Sequence, residues 1–288
     1  LVGGALNLND YQLDGEYALS RLLAPEQGIK LVRYRDQDEA AMAAAAMTKV
    51  TGDAQATPTG RARIALAAAL MNLPAWLTGD APPRDDETQE AQQEQALTSF
   101  VLTFVMTGRY QIELAAGGNS AANAGVDYRV LLASSSRAGQ VRALYRRAGL
   151  DLDADLATLT RDANVTADQG AVATLARTSM PTSRLRVPEL DIHTVADQLA
   201  PVEQENWYAR QVTSTGHRQL LRQAYVRSAG HCAFQLAETV AALHALEYRI
   251  ATGRWGDATE PQRLNASAGT GRYVPYVAPT LTGEPGRR

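Results

Sequence analysis

The 288 residues are enough for one large domain or two small ones, and 45% apolar with 20% charged side chains is the balance of a globular chain. A formal charge of −3 argues against nucleic acid as a partner, since phosphate binding needs a basic surface. No run of about 18 apolar residues is present to span a membrane, and one cysteine, Cys232, leaves no internal disulfide and no zinc site built on several thiolates.

Leu1-Val2-Gly3-Gly4 is neither a start codon's product nor a signal peptide, and the chain reads as though cut from a longer one. A Gly/Asn-rich loop over residues 3–10 leads to a helix at 15–23 and a short apolar strip at 29–32. From 37 to about 177 the pattern is mostly helical. Residues 40–47 are rich in alanine, the best helix former. Pro58 opens a helix running to Met71, because proline is tolerated in a first turn. Asp85-Asp86-Glu87 form the acidic start of a third helix, predicted to run through the apolar stretch 97–106 and stop at Gly108. Gly117-Gly118-Asn119 is a further breaker. Helices are predicted at 127–133, 138–148, 153–160 and 168–177.

The pattern changes at Arg184. Residues 186–193 read as a strand, Pro201 opens a helix to about Ser214, and 220–226 read as a second strand. Residues 235–251 form an amphipathic helix, with Leu236, Val240, Leu243, Leu246 and Ile250 at helical spacing. The tail from Gly253 is expected to wrap a surface. Strand, helix, strand, helix is a parallel α/β unit. Two parallel strands need neighbours and cover on both faces, and none is evident in residues 1–183. The sheet is therefore expected to be completed by sequence outside this chain.

Two segments carry chemistry. His193-Thr194-Val195-Ala196-Asp197 follows the first strand, and Ser228-Ala229-Gly230-His231-Cys232 follows the second. In an open α/β sheet, functional groups sit at the carboxyl ends of strands. Loops on neighbouring strands would let Asp197 accept a hydrogen bond from His231, which fixes the tautomer of a general base. Cofactors and metal ligands are not expected.

At these residues the chain resembles a known family. The stretch 186–255 looks like the end of an α/β-hydrolase, with its strand, Asp, helix, strand, Gly-His order. Ala229-Gly230-His231-Cys232-Ala233-Phe234, Ala237-Glu238-Thr239-Val240-Ala241-Ala242-Leu243 and Thr252-Gly253-Arg254-Trp255 resemble secreted actinobacterial α/β-hydrolases. Ala115-Gly117-Asn119, residues 125–128, residues 144–151 and the opening 1–25 extend the likeness. The resemblance implies the C-terminal portion of that fold. Residues 1–36 would follow the sixth core strand, 37–183 would be a large helical cap, 184–255 the last two strands and helices, and 256–288 a tail. Asp197 and His231 would be the acid and base of a Ser-Asp-His triad. The G-x-S-x-G serine is absent: Ser228 has the wrong context, and Gly118-Asn119-Ser120-Ala121-Ala122 lacks the second glycine.

The serine and the oxyanion hole would then lie upstream, on a separate N-terminal polypeptide or on sequence lost by truncation. The expected activity is ester or amide hydrolysis through an acyl-enzyme, by a secreted protein. The competing reading is a non-catalytic binding or scaffold subunit of the same fold. Other candidates take plainer readings. Cys232 reads as buried packing, since sequence neighbours rarely form a Cys–His pair. His193 reads as a packing residue, and His217 and His244 as solvated. Asp151, Asp153, Asp155 and Asp162 fit a calcium-loop spacing but lack its glycine and its bidentate glutamate, so they read as acids at a helix start. The sequons at Asn164 and Asn265 read as chance.

Overall fold

The computed structural model describes residues 5–284. The unusual opening Leu1-Val2-Gly3-Gly4 lies outside the described residues, as do 285–288. The described residues divide into two compact units, a helical one over 5–77, 82–180 and 281–284, and a mixed α/β one centred on 181–280. Among the described residues no helix is long and apolar enough to cross a membrane.

The helical unit opens with α1 (Ala5–Leu23), so the loop expected up to residue 10 is helix from Ala5 onward. α2 (Gln37–Ala54) begins where the Asp36 side chain accepts a bond from the Glu39 N–H at 2.8 Å. α3 (Pro58–Leu70) is capped by Thr57 and has Pro58 in its first turn. Nearly every residue of α3 from Ala62 to Leu70 is buried, which makes it the centre of this unit. Its alanines allow neighbours to come close. Gly15 of α1 is the tightest point: a Cβ there would stand 1.9 Å from Met71 Cγ and 3.0 Å from the Ala67 carbonyl.

The predicted third helix proves to be two. α4 (Asp86–Ala96) passes through a π-turn at Leu97–Val101 into α5 (Leu102–Ala116). The expected stop at Gly108 does not occur. The helix runs on to Gly117, which is left-handed at φ 79°. Gly108 costs about 1 kcal/mol against alanine, and burial of Val105, Met106, Arg109, Glu113 and Ala116 on one face outweighs it. Arg109 and Glu16 form a fully buried ion pair at 2.8 Å, and burial raises the Glu16 pKa against the pull of Arg109. α6 (Tyr128–Ser134), α7 (Ala138–Ala148), α8 (Leu152–Asp162) and α9 (Gln169–Thr178) follow within two residues of their predicted ends. The acids of the calcium-like spacing lie along α8. Asp151 caps it, while Asp155 pairs with Arg63 and Asp162 with Arg21.

The α/β unit holds β1 (Glu189–Ala196), α10 (Glu203–Ser214), β2 (Leu221–Ala229), α11 (Leu236–Thr252), α12 (Pro261–Ala268) and the two-residue β3 (Tyr273–Val274). β1 starts three residues later than predicted, because Pro188 has no N–H for a ladder. β1 and β2 are parallel, from Glu189 opposite Leu221 to Thr194 opposite Val226, and then Ala196 lies opposite Ala229. β2 thus carries one extra residue near its end, a bulge that re-aims the segment leading to His231. β3 pairs antiparallel with Tyr225 and Val226. The chain is therefore mixed α/β, mostly helical, with a small sheet in the order β1-β2-β3.

One sheet face sets Ala224, Val226 and Tyr273, with Leu190 and Ile192, against Ala241 and Ala245 of α11 and Leu264 of α12. The other packs Val195 and Tyr225 against Val202, Tyr276 and Ala278. α11 is entered through Glu238, whose carboxylate accepts from the Gln235 N–H at 2.8 Å. α12 and β3 lie in the tail expected to wrap a surface. Pro261 in the first turn and left-handed Gly269 at the end delimit α12, and buried Leu264 anchors it.

Candidate active site

β1 and β2 end side by side, and the two residues singled out by position meet there. His231 Nδ1 lies 2.8 Å from Asp197 Oδ2. A carboxylate only accepts, so the pair requires the imidazole proton on Nδ1, leaving Nε2 with a lone pair. Asp197 is 3% exposed. Its second oxygen, Oδ1, accepts from the N–H groups of Leu199 and Ala200, each at 2.8 Å. The carboxylate is held by three donors on two loops, and its orientation is set before the ring arrives.

The His231 loop is tied back to β1 in the same way. The Gly230 N–H donates to the Ala196 carbonyl at 2.9 Å, and buried Thr194 donates its hydroxyl to the Gly230 carbonyl at 2.8 Å. Gly230 sits at φ 108°, where a side chain would be strained. Two backbone-level ties and one bulge therefore bring the ring over Asp197. The His231 side chain is 47% exposed, so its free edge is open to a reacting group.

Cys232 departs from the expectation of buried packing. It is exposed, in a left-handed turn at φ 52°, and its Sγ lies 3.7 Å from His231 Nε2. Neighbours in a regular strand would point to opposite faces; the left-handed turn folds the thiol back toward the ring instead. The other histidines stand apart from this pair. His193 is half-buried, with Nδ1 2.8 Å from the Thr194 carbonyl; His217 is half-buried against the Thr215 hydroxyl at 3.1 Å rather than solvated; His244 is exposed.

A cluster of carboxyl groups was not anticipated. Glu189 and Asp191 on β1 lie near Glu205 of α10, and burial, then the charges of Glu205 and Glu189, push Asp191 up to about 9. Burial likewise raises Glu205, which accepts from Gln223. The signal in the sequence is Glu189-Leu190-Asp191-Ile192-His193, with ionisable groups at every second strand position.

Among curated proteins, the o-phthalyl amidase of Xanthobacter agilis is 34% identical to this chain over 238 residues, covering 78% of this chain and 52% of the relative. The chain spans about half the length of the curated relative it matches. No family model matches the chain, and no solved structure does.

Proposed function

We propose that this chain is the acid- and base-bearing portion of a serine hydrolase of the α/β-hydrolase type, cleaving amide or ester bonds through an acyl-enzyme. The observation that carries this reading is the 2.8 Å contact between His231 and buried Asp197 at the ends of adjacent parallel strands. The relative's name, an amidase, favours amides, and amides of aromatic acids are the first substrates to test. The helical unit would be the cap that selects among them. Secretion belongs to the same proposal and rests on the family resemblance alone.

In the proposed reaction, His231 Nε2 accepts the serine proton as Oγ attacks the carbonyl carbon, and Asp197 stabilises the imidazolium. Collapse of the tetrahedral intermediate breaks the C–N or C–O bond, and Nε2 returns the proton to the leaving amine or alcohol. Water then attacks the acyl-enzyme with His231 as base, releasing the acid and restoring the serine. Among the described residues, the groups bonded to the His231 ring are Asp197 and Cys232, with no serine. The serine and the oxyanion hole would come from an N-terminal polypeptide of the same hydrolase.

Two further features favour such a partner. Among the described residues β1 has a strand on one side only, and an unpaired parallel edge is a poor end to a sheet. On α11, Leu236, Val240, Leu243 and Ile250 form an apolar stripe facing away from the sheet, all exposed. A fluorophosphonate probe applied to the native preparation should label a polypeptide that co-purifies with this chain and leave this chain unlabelled. A preparation that hydrolyses aryl esters with no second polypeptide present would falsify the two-part arrangement. Inertness of the assembled protein toward both esters and amides would favour the scaffold reading.

A further inference from the structure

Side chains of a strand alternate between its two faces. On β1, Leu190 and Ile192 pack on the α11 side of the sheet with Ala224 and Val226, and Thr194 is next in that row. Thr194 is 1% exposed and stands opposite fully buried Val226. Valine has nearly the same shape, suits a buried strand position and brings no polar atom. A buried hydroxyl is costly unless it is bonded, so packing alone does not call for one here.

The hydroxyl is bonded, and its partner bears on His231. Thr194 Oγ1 donates to the Gly230 carbonyl at 2.8 Å. That oxygen belongs to the peptide group joining Gly230 to His231. The group is planar, so holding its oxygen fixes the direction in which the chain enters His231 Cα, and with it the Cβ that carries the ring.

The peptide needs such a tie. The paired register of β1 and β2 ends with Ala196 opposite Ala229, one residue short of Gly230. The Gly230 N–H donates to the Ala196 carbonyl at 2.9 Å, an acceptor shared with Gln198 Nε2 at 2.9 Å. That bond holds the peptide before Gly230. Glycine turns freely about its own backbone bonds, so the peptide after it can rotate unless something else stops it. The acid does not depend on this tie, because Leu199 and Ala200 hold Asp197 from its own loop. The His231 side chain is 47% exposed, so packing restrains the ring little.

We propose that Thr194 is a positioning residue for His231, its buried hydroxyl locking the peptide after Gly230 so that Nδ1 meets Asp197 and Nε2 faces the reacting group. The catalytic part of this inference rests on the reading of His231 as general base; the hold on the ring does not.

The test compares Thr194→Val, which removes the hydroxyl at nearly constant volume, with Thr194→Ser, which keeps it. A misplacement of about 1 Å at reacting groups costs on the order of 100-fold. In the assembled protein, kcat toward an activated aryl ester should fall about 100-fold in Thr194→Val with KM within about threefold. Thr194→Ser should stay within about threefold of the parent. The second readout is the ¹⁵N shifts of the His231 ring in histidine-labelled protein, at a pH where the ring is neutral, assigned by their absence from His231→Ala. They should report the proton on Nδ1 in the parent and in Thr194→Ser, and a shift toward Nε2 in Thr194→Val. A packing role would lower Tm and leave the tautomer as it is. Unchanged kcat and tautomer in Thr194→Val overturn the proposal, and so do equal losses in the Ser and Val variants. If the parent hydrolyses nothing, the general-base reading fails and the tautomer alone decides whether Thr194 holds the ring. Thr194→Ala replaces Thr194→Val if the latter fails to fold.

Discussion

Asp197→Asn is the substitution on which the catalytic reading depends most directly. The exchange keeps size and shape and alters one atom's hydrogen-bonding sense. The amide oxygen can still accept from Leu199 and Ala200, which now bond Oδ1 at 2.8 Å each, so the loop keeps its two backbone ties. The amide nitrogen replaces Oδ2 and can only donate. Facing it is His231 Nδ1 at 2.8 Å, which must then become an acceptor. The imidazole proton moves to Nε2, the atom that should receive the serine proton, and the base is lost without disturbing the fold. The expected loss in turnover is about 10⁴-fold, near 5.5 kcal/mol in the activation barrier. The lost charge-assisted bond should cost about 1–3 kcal/mol of stability, a few degrees in Tm. The assay is kcat/KM of the assembled protein toward an activated aryl ester and an o-phthalyl amide, beside His231→Ala. Turnover of the Asn variant within tenfold of the parent, with the fold intact, would refute the role given to Asp197.

Three further outcomes follow. Cys232→Ala should abolish alkylation by iodoacetamide while turnover stays within about threefold of the parent, because the thiol is given no step in the reaction; a loss as deep as that of His231→Ala would make Cys232 the nucleophile. Asp191 has a native pKa raised to about 9, against about 3.9 unfolded. Its stability contribution is full below the unfolded value and is lost as pH rises toward the native one, at up to about 1.4 kcal/mol per unit. Asp191→Asn should therefore match the parent near pH 4 and exceed it near pH 8 in urea unfolding; equal slopes for the two proteins would dismiss the buried protonated carboxyl. Gly15→Ala would set a Cβ against Met71 Cγ and the Ala67 carbonyl, and Met71 is 3% exposed with little room to swing away. Overpacking should outweigh the helix propensity gained, for a net loss of about 1–2 kcal/mol by thermal unfolding; an unchanged Tm would show that α1 and α3 can separate freely.

What could be read from the sequence was local or followed from strand adjacency. Caps such as Thr57 with Pro58, and Asp127 and Asp151, act within a few residues, and their helices were predicted closely. The Asp197–His231 pair was legible across 34 residues because two adjacent strands with short exits leave their end loops little freedom. The Arg109–Glu16 pair spans 93 positions with no such constraint, and nothing in either residue's neighbourhood announces the other. Gly108 misled because a propensity cost of about 1 kcal/mol was weighed without the tertiary burial that opposes it. α12 was hidden because eight residues are too few to stand as a helix without packing, and its packing, through Leu264 and Ala268, is against α11 and a sheet formed elsewhere in the chain. Cys232 shows the same limit at the smallest scale. Its neighbour's contact with Asp197 was visible in the order of residues, but the side of the ring it would reach depended on a left-handed turn at Cys232 itself, and a non-glycine residue gives little warning of that conformation. Which residues meet at such a site is therefore easier to foresee than its immediate surroundings, because the first follows from strand order and the second from single backbone angles.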